Sequence, residues 1–191
     1  MDLGLAVPLA ILALPLGVVV ALAIVLDSPG PVFFRQWRIG QGGRPFRMWK
    51  FRTMRVGAER EWVPPADTAA LATYRFQSED DPRITRVGRL LRRTSLDELP
   101  QLGHVICGTM SLVGPRPEVP EVVALYPPEA HRRHAVKPGI TGWAQVAGRG
   151  ELTTAESLRW DLAYCDARSL GLDLWILWQT VKAVLGGRGA R

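Results

Sequence analysis

The chain predicts an α+β fold: a helix-rich domain carrying a short β-hairpin, preceded by one apolar helix. Three observations predict it. From Leu3 to Leu26 the sequence holds no charge and is apolar almost throughout, unlike an amphipathic surface helix. Val32 to Ile39 and Phe46 to Met54 are rich in aromatic and β-branched residues and flank Gly40-Gln41-Gly42-Gly43, the pattern of two strands and a turn. Beyond Arg83, apolar residues recur at helical spacing, as Ile84, Val87, Leu90 and Leu91, then as Leu99, Leu102, Val105 and Ile106.

The first element is a membrane segment. As one helix, Leu3 to Leu26 would reach roughly 36 Å, enough to cross a hydrocarbon core of about 30 Å. Met1-Asp2 gives no basic leader, so a cleaved signal peptide is not expected. Pro15, near the middle, removes a helix hydrogen bond and disfavours helical geometry at Leu14; Pro8 lies one stretch earlier. Two topologies satisfy these residues. One is a kinked span; the other is two arms of about eleven residues, each reaching roughly half the bilayer, with both ends on one face. Either way, the basic segment beginning with Arg35, Arg38, Arg44 and Arg47 belongs on the cytoplasmic side.

Asp27-Ser28-Pro29-Gly30-Pro31 turns the chain into the hairpin. There Phe33, Phe34, Trp37, Phe46, Trp49 and Phe51 interleave with basic residues from Arg35 to Arg55. The interleaving fits single-stranded nucleic acid, anionic headgroups beside a membrane anchor, or an ordinary half-buried hairpin with a solvated basic face. A net charge of +6 over 191 residues points to anionic partners without choosing among them. Cys107 and Cys165 form no CxxC or Cys/His ligand pattern, so a structural zinc site is not expected. His131 and His134 read as surface histidines.

The remaining elements follow in order. Gly57 to Pro82 is a polar, proline-punctuated loop with a short helix over Ala66 to Phe76, and Arg83 to Arg93 is an amphipathic helix. Glu118 to Pro127 is read as helical, with a second stretch towards Val136. Pro138 to Gly142 is a turn, Trp143 to Val146 a short strand and Gly148-Arg149-Gly150 a loop. Ser157 to Cys165 and Asp173 to Leu185 close the chain as helices.

The chemistry is concentrated at Thr94-Ser95-Leu96-Asp97-Glu98-Leu99-Pro100-Gln101-Leu102. Ser95 is placed to cap a helix, Glu98 to complete a capping box, and Pro100 falls in the first turn. At about 100° per residue Asp97 and Glu98 point in different directions, so they suit two separate jobs better than a shared proton. Acids in a first turn are ordinarily explained by capping and the helix dipole. Here they lie between Arg86, Arg89, Arg92 and Arg93 on one side and Gly114-Pro115-Arg116-Pro117 on the other, which suits a phosphorylated substrate and a metal ion. The prolines around Arg116 stiffen the backbone that carries its guanidinium.

These residues resemble the bacterial sugar transferase family, the small monotopic polyprenyl-phosphate phosphoglycosyl transferases. The matching pieces run in order from Gly30-Pro31-Val32-Phe33-Phe34-Arg35-Gln36 through Lys50-Phe51-Arg52-Thr53-Met54 and Asp81-Pro82-Arg83-Ile84-Thr85. They continue through Ser95 to Leu102 and Met110 to Pro117 to Pro138-Gly139-Ile140-Thr141-Gly142-Trp143-Ala144-Gln145-Val146. The resemblance implies a membrane anchor over residues 1–30, a re-entrant helix broken at Pro15, and a cytoplasmic catalytic domain over residues 31–191. It implies transfer of a sugar-1-phosphate from a UDP-sugar to polyprenyl phosphate at the bacterial inner membrane, the first membrane step of a glycoconjugate pathway.

On the family's pattern the reaction uses Mg²⁺ and an aspartyl-phosphosugar intermediate. Asp97 is then the nucleophile, and Glu98 its partner acid, as a base towards the lipid phosphate or as a metal ligand beside Asp97. Lys50, Arg92, Arg116 and Arg149 match basic residues expected at the substrate phosphates or nucleotide. Asp161 and Asp173 match late acidic positions, with metal support, arginine orientation and a purely structural role all open. Leu14 stands where the family often has serine, and His104 and Thr109 where it more often has Asn and Asp. The expected partners are membrane lipid, polyprenyl phosphate and the UDP-sugar, with room for a homodimer and no specific nucleic acid. Two rival readings are a catalytically silent membrane scaffold of the same fold and a membrane-tethered nucleic-acid binder.

Overall fold

A computed structural model describes residues 1–74, 81–148 and 151–186. Helix α1 (Asp2–Asp27) runs unbroken through Pro8 and Pro15, so Leu14 stays helical. Each proline leaves one carbonyl, that of Gly4 and that of Ile11, without its helical donor. By length and composition α1 could cross a membrane, with a mean hydropathy of 3.0 over its most apolar stretch. Its outer face is bare apolar surface, Leu12 being 73% and Leu26 86% exposed. Its inner face, Ala6, Val20 and Ile24, is buried against the rest of the molecule.

Both ends of α1 are bonded to that same body. The Leu112 N–H donates to the Asp2 carboxylate at 3.4 Å. At the other end the Val87 N–H donates to the Asp27 carboxylate at 3.0 Å. Just beyond α1, buried Arg52 donates to the carbonyls of Ser28 and Pro29 at 2.6 and 2.7 Å.

Strands β1 (Phe33–Ile39) and β2 (Pro45–Phe51) pair antiparallel, from Phe33 opposite Phe51 to Ile39 opposite Pro45. The Phe33 ring lies 5.4 Å from that of Phe51 and 5.7 Å from that of Trp49, and the Arg35 guanidinium sits 4.0 Å above Trp49. Much of the aromatic–basic interleaving is therefore spent within the hairpin. The opposite face turns Phe34, Gln36 and Arg38 inward beside Lys50 and Met48.

Helix α2 (Thr68–Thr73) is capped by Asp67, shorter than the predicted helix, whose end at Phe76 lies outside the described residues. Helix α3 (Arg86–Thr94) starts three residues later than predicted, because Arg83 forms a side-chain ion pair with Asp81 and Thr85 supplies the cap. Its Gly88 lies directly on the Thr53 carbonyl, where a Cβ would clash. After α3 come a 3₁₀ turn over Leu96–Gln101 and helix α4 (Leu102–Ile106).

The C-terminal half departs further from the sequence reading. Strands β3 (Ser111–Val113) and β4 (Gly139–Thr141) form a short parallel pair, so the predicted turn at 138–142 contains a strand. Gly114 and Gly139 permit this, because a Cβ on either would clash with the other's backbone or its neighbour's. Trp143 to Val146 is a helix, α6 (Trp143–Gly148), rather than a strand; α5 (Pro120–Val123) is one turn, followed by a 3₁₀ stretch over Pro128–Ala135. Helix α7 (Thr154–Ala167) opens with a capping box from Thr153 and Glu156, and α8 (Leu170–Leu185) is capped by Ser169. One core joins Ala6 of α1 to Leu102, Val105, Met110, Leu112, Tyr164 and Ile176; a second joins Val20 and Ile24 to Phe51 and Leu91. His134 is buried and stacked on Tyr126, not a surface histidine.

Candidate active site

Three segments bring the charged residues together. Strand β2 presents Lys50, the end of α3 presents Arg92, and the Pro-Arg-Pro turn after β3 presents Arg116. Between them Ser95 adopts a left-handed conformation, φ 57°, that ends α3 and redirects the chain. Its hydroxyl caps nothing, and Glu98 closes no capping box. The carboxylates are instead oriented by cations from other segments.

Glu98 Oε1 accepts from Lys50 Nζ and from Arg116 Nη2, both at 2.8 Å. Asp97 Oδ2 lies 4.0 Å from the same ammonium. Asp97 is 8% exposed, and its carboxylate accepts no hydrogen bond among the described residues. Arg92 is aimed by a 3.0 Å bond from its Nε to Thr53 Oγ1, which leaves its terminal nitrogens for an anion. His104 steadies β2 by accepting from the Trp49 N–H at 3.3 Å while its other ring nitrogen meets Thr109 Oγ1 at 3.1 Å. The two departures noted at these positions thus bond each other.

Environment separates the two acids. Burial pushes Asp97 above the usual carboxylate range; Lys50 opposes this, Glu98 adds to it, and Arg116 and Arg92 pull downward without cancelling it. Burial would also raise Glu98, but Arg116 and Lys50 outweigh it and hold that carboxyl at about 2. Lys50 is itself lowered, by burial and by Arg116, against the pull of Glu98 and Asp97. Two acids with different proton affinities thus stand side by side.

A pH dependence follows. If Asp97 is the nucleophile the family's pattern implies, it must be ionised to attack, and turnover should fall as pH drops through a value above the ordinary aspartate pKa. On the same pattern Lys50 binds phosphate as a cation, and turnover should fall again on the alkaline side, below the ordinary lysine value. Glu98 titrates far below both limbs, so its folding contribution is complete at neutral pH and lost progressively as pH falls from 4.5 to about 2. A kcat/KM profile against pH checks this.

Lys50, Arg92, Asp97, Glu98 and Arg116 all line one open groove of about 1500 Å³. Its wall also carries Leu9, Leu12 and Ala13 of α1, just before Pro15, and Leu177 and Val184 of α8. Charge therefore meets apolar surface in one continuous cleft. Arg38, Asp81 and Arg83 line it too, although the sequence reading gave them no role; Asp81-Pro82-Arg83 was the available signal. Asp161 and Asp173 do not line it. Asp161 is buried on Arg133 at 2.6 Å, and Asp173 accepts from the Tyr164 hydroxyl at 2.7 Å. Arg149 lies outside the described residues.

The family model for bacterial sugar transferases matches residues 1–187. The chain belongs to the bacterial sugar transferase family. Among curated relatives of this family member, the UDP-glucose:undecaprenyl-phosphate glucose-1-phosphate transferase of Caulobacter vibrioides is 44% identical over 97% of this chain and 68% of its own length. The protein of the same name from Escherichia coli is 44% identical over 94% of the chain and 38% of its own length. A UDP-N-acetylgalactosamine-undecaprenyl-phosphate N-acetylgalactosaminephosphotransferase of Aeromonas hydrophila is 40% identical over 100% of the chain and 44% of its own length. The chain thus spans about two fifths of the length of several relatives it matches.

Proposed function

We propose that this chain is a phosphoglycosyl transferase that moves a sugar-1-phosphate from a UDP-sugar to undecaprenyl phosphate, releasing UMP. The observation that carries the reading is Asp97: a buried carboxylate without a hydrogen bond among the described residues, beside Lys50 and Arg116, in a cleft lined by both charged and apolar side chains. Relatives named for glucose and for N-acetylgalactosamine are similarly close, so family membership does not choose the sugar.

In the first step an Asp97 carboxylate oxygen attacks the sugar-bearing phosphorus. The new O–P bond forms as the bridging diphosphate P–O bond breaks, and UMP leaves with that oxygen. In the second step an oxygen of undecaprenyl phosphate attacks the same phosphorus, the Asp97 O–P bond breaks, and the free carboxylate returns. Lys50, Arg92 and Arg116 bind and orient the phosphoryl oxygens and offset their charge. Glu98, at about 2, is a poor base for a phosphate whose second pKa is about 6. Its place is as a fixed anion that holds Lys50 and Arg116.

The donor set fits Mg²⁺. Glu98 Oε2 and both Asp97 oxygens accept no hydrogen bond among the described residues, and Mg²⁺ ordinarily takes one or two carboxylates plus substrate phosphates. Asp97 and Glu98 would hold it. When bound it supplies further charge neutralisation at the diphosphate.

The same reading places α1 in the membrane with both ends on the cytoplasmic face. A helix bonded to one domain at Asp2 and at Asp27, and packed on it at Ala6, Val20 and Ile24, has no free stretch to cross with. α1 is continuous through both of its prolines, and Pro15, the one nearer its middle, is then the expected bend site on the membrane. The prenyl chain would enter between α1 and α8. The test is UMP release from a panel of UDP-sugars by detergent-solubilised protein with Mg²⁺ and undecaprenyl phosphate. One sugar should release UMP in strong preference; no release from any by folded protein would favour a silent scaffold.

A further inference from the structure

Three consecutive carbonyls of the Pro-Arg-Pro turn are each held by a donor from elsewhere in the chain. Pro115 O accepts from the Gly139 N–H at 3.0 Å, Arg116 O from Arg133 Nη2 at 2.7 Å, and Pro117 O from Arg38 Nη1 at 3.0 Å. Neither proline has an N–H, so this stretch cannot satisfy itself in a helix or an inner strand.

Arg133 is the buried member of the set, 3% exposed, and its guanidinium is spread over three segments. Nε and Nη2 donate to Asp161 Oδ2 of α7 at 3.1 and 2.6 Å, Nη1 to the Tyr126 hydroxyl at 3.3 Å, and Nη2 also to Arg116 O. It does not line the catalytic groove. From the other end of the same residue, Arg116 Nη2 reaches Glu98.

We infer that Arg133 is a positioning residue: it fixes the main chain of Arg116 so that the guanidinium meets the diphosphate of a nucleoside diphosphate sugar at one geometry. This rests on the function proposed above. The guanidinium reaches these three partners from three separate nitrogens, a spread that the single nitrogen of lysine does not provide. Asp161 then acts two residues away from the substrate, through Arg133 and Arg116, rather than on a metal ion.

UDP binding tests it without turnover, by calorimetry on the solubilised full chain. Arg133→Lys, folded by circular dichroism, should bind UDP about tenfold more weakly and raise KM for the donor more than it lowers kcat. In an Arg116→Lys background it should cost nothing further, because its effect runs through Arg116. Tyr126→Phe, which keeps the ion pair, should show a smaller loss in the same direction and covers the case in which Arg133→Lys fails to fold. Unchanged UDP affinity in a folded variant, or losses that add across the two arginines, would overturn the inference. A wild-type chain that binds no UDP would overturn the functional reading, and this inference with it.

Discussion

Asp97→Asn should abolish UMP release while leaving the protein as stable as before, or slightly more so. The carboxamide keeps the shape but cannot attack phosphorus, so the loss in kcat should be on the order of 10⁴-fold or more. The stability half of the expectation comes from sign. Burial raises the folded-state pKa of Asp97, so at neutral pH its ionised form costs folding free energy rather than contributing it. Removing the charge relieves that cost, a common pattern where a site is held ready for substrate at the expense of stability. Thermal unfolding measured beside turnover separates this from simple misfolding.

The largest stability effect should come from Asp161. Asp161→Leu strands the Arg133 guanidinium, which is buried and forms no other ion pair among the described residues. Breaking a buried pair from one side costs about 3–5 kcal/mol, which in a chain of this size lowers Tm on the order of 10 °C. Adding Arg133→Met should recover much of the loss, since two apolar side chains replace two desolvated charges. It should not recover UDP affinity, because the Arg116 carbonyl is left unheld. Stability and nucleotide binding would then separate in one pair of variants.

The parts that were legible in the sequence are those encoded locally. The apolar run announces α1, the alternating aromatics announce the hairpin, and the ordered motifs bring Lys50, Arg92, Asp97, Glu98 and Arg116 to one cleft. What was not legible depends on partners distant in sequence. Trp143 to Val146 has a strand-like composition, but the pairing edge on β3 is taken by Gly139–Thr141, whose glycine allows the close approach. Ser95 looks like a cap, yet the chain needs a left-handed residue there to bring Asp97 beside Lys50. The supporting role of Asp161 was left open because its partner, Arg133, carries no local signal. The same holds for Thr53, which aims Arg92 across 39 positions of sequence.

Whether Asp97 carries the phosphosugar is read by intact-protein mass spectrometry of the solubilised chain. It is incubated with Mg²⁺ and the preferred UDP-sugar but no lipid acceptor, then digested and mapped. A mass increase of one sugar phosphate on the peptide containing Asp97, absent from Asp97→Asn and discharged by undecaprenyl phosphate, is the predicted result. Wild-type protein that releases UMP only when the acceptor is present, and never carries the phosphosugar, would instead mean direct transfer to the lipid.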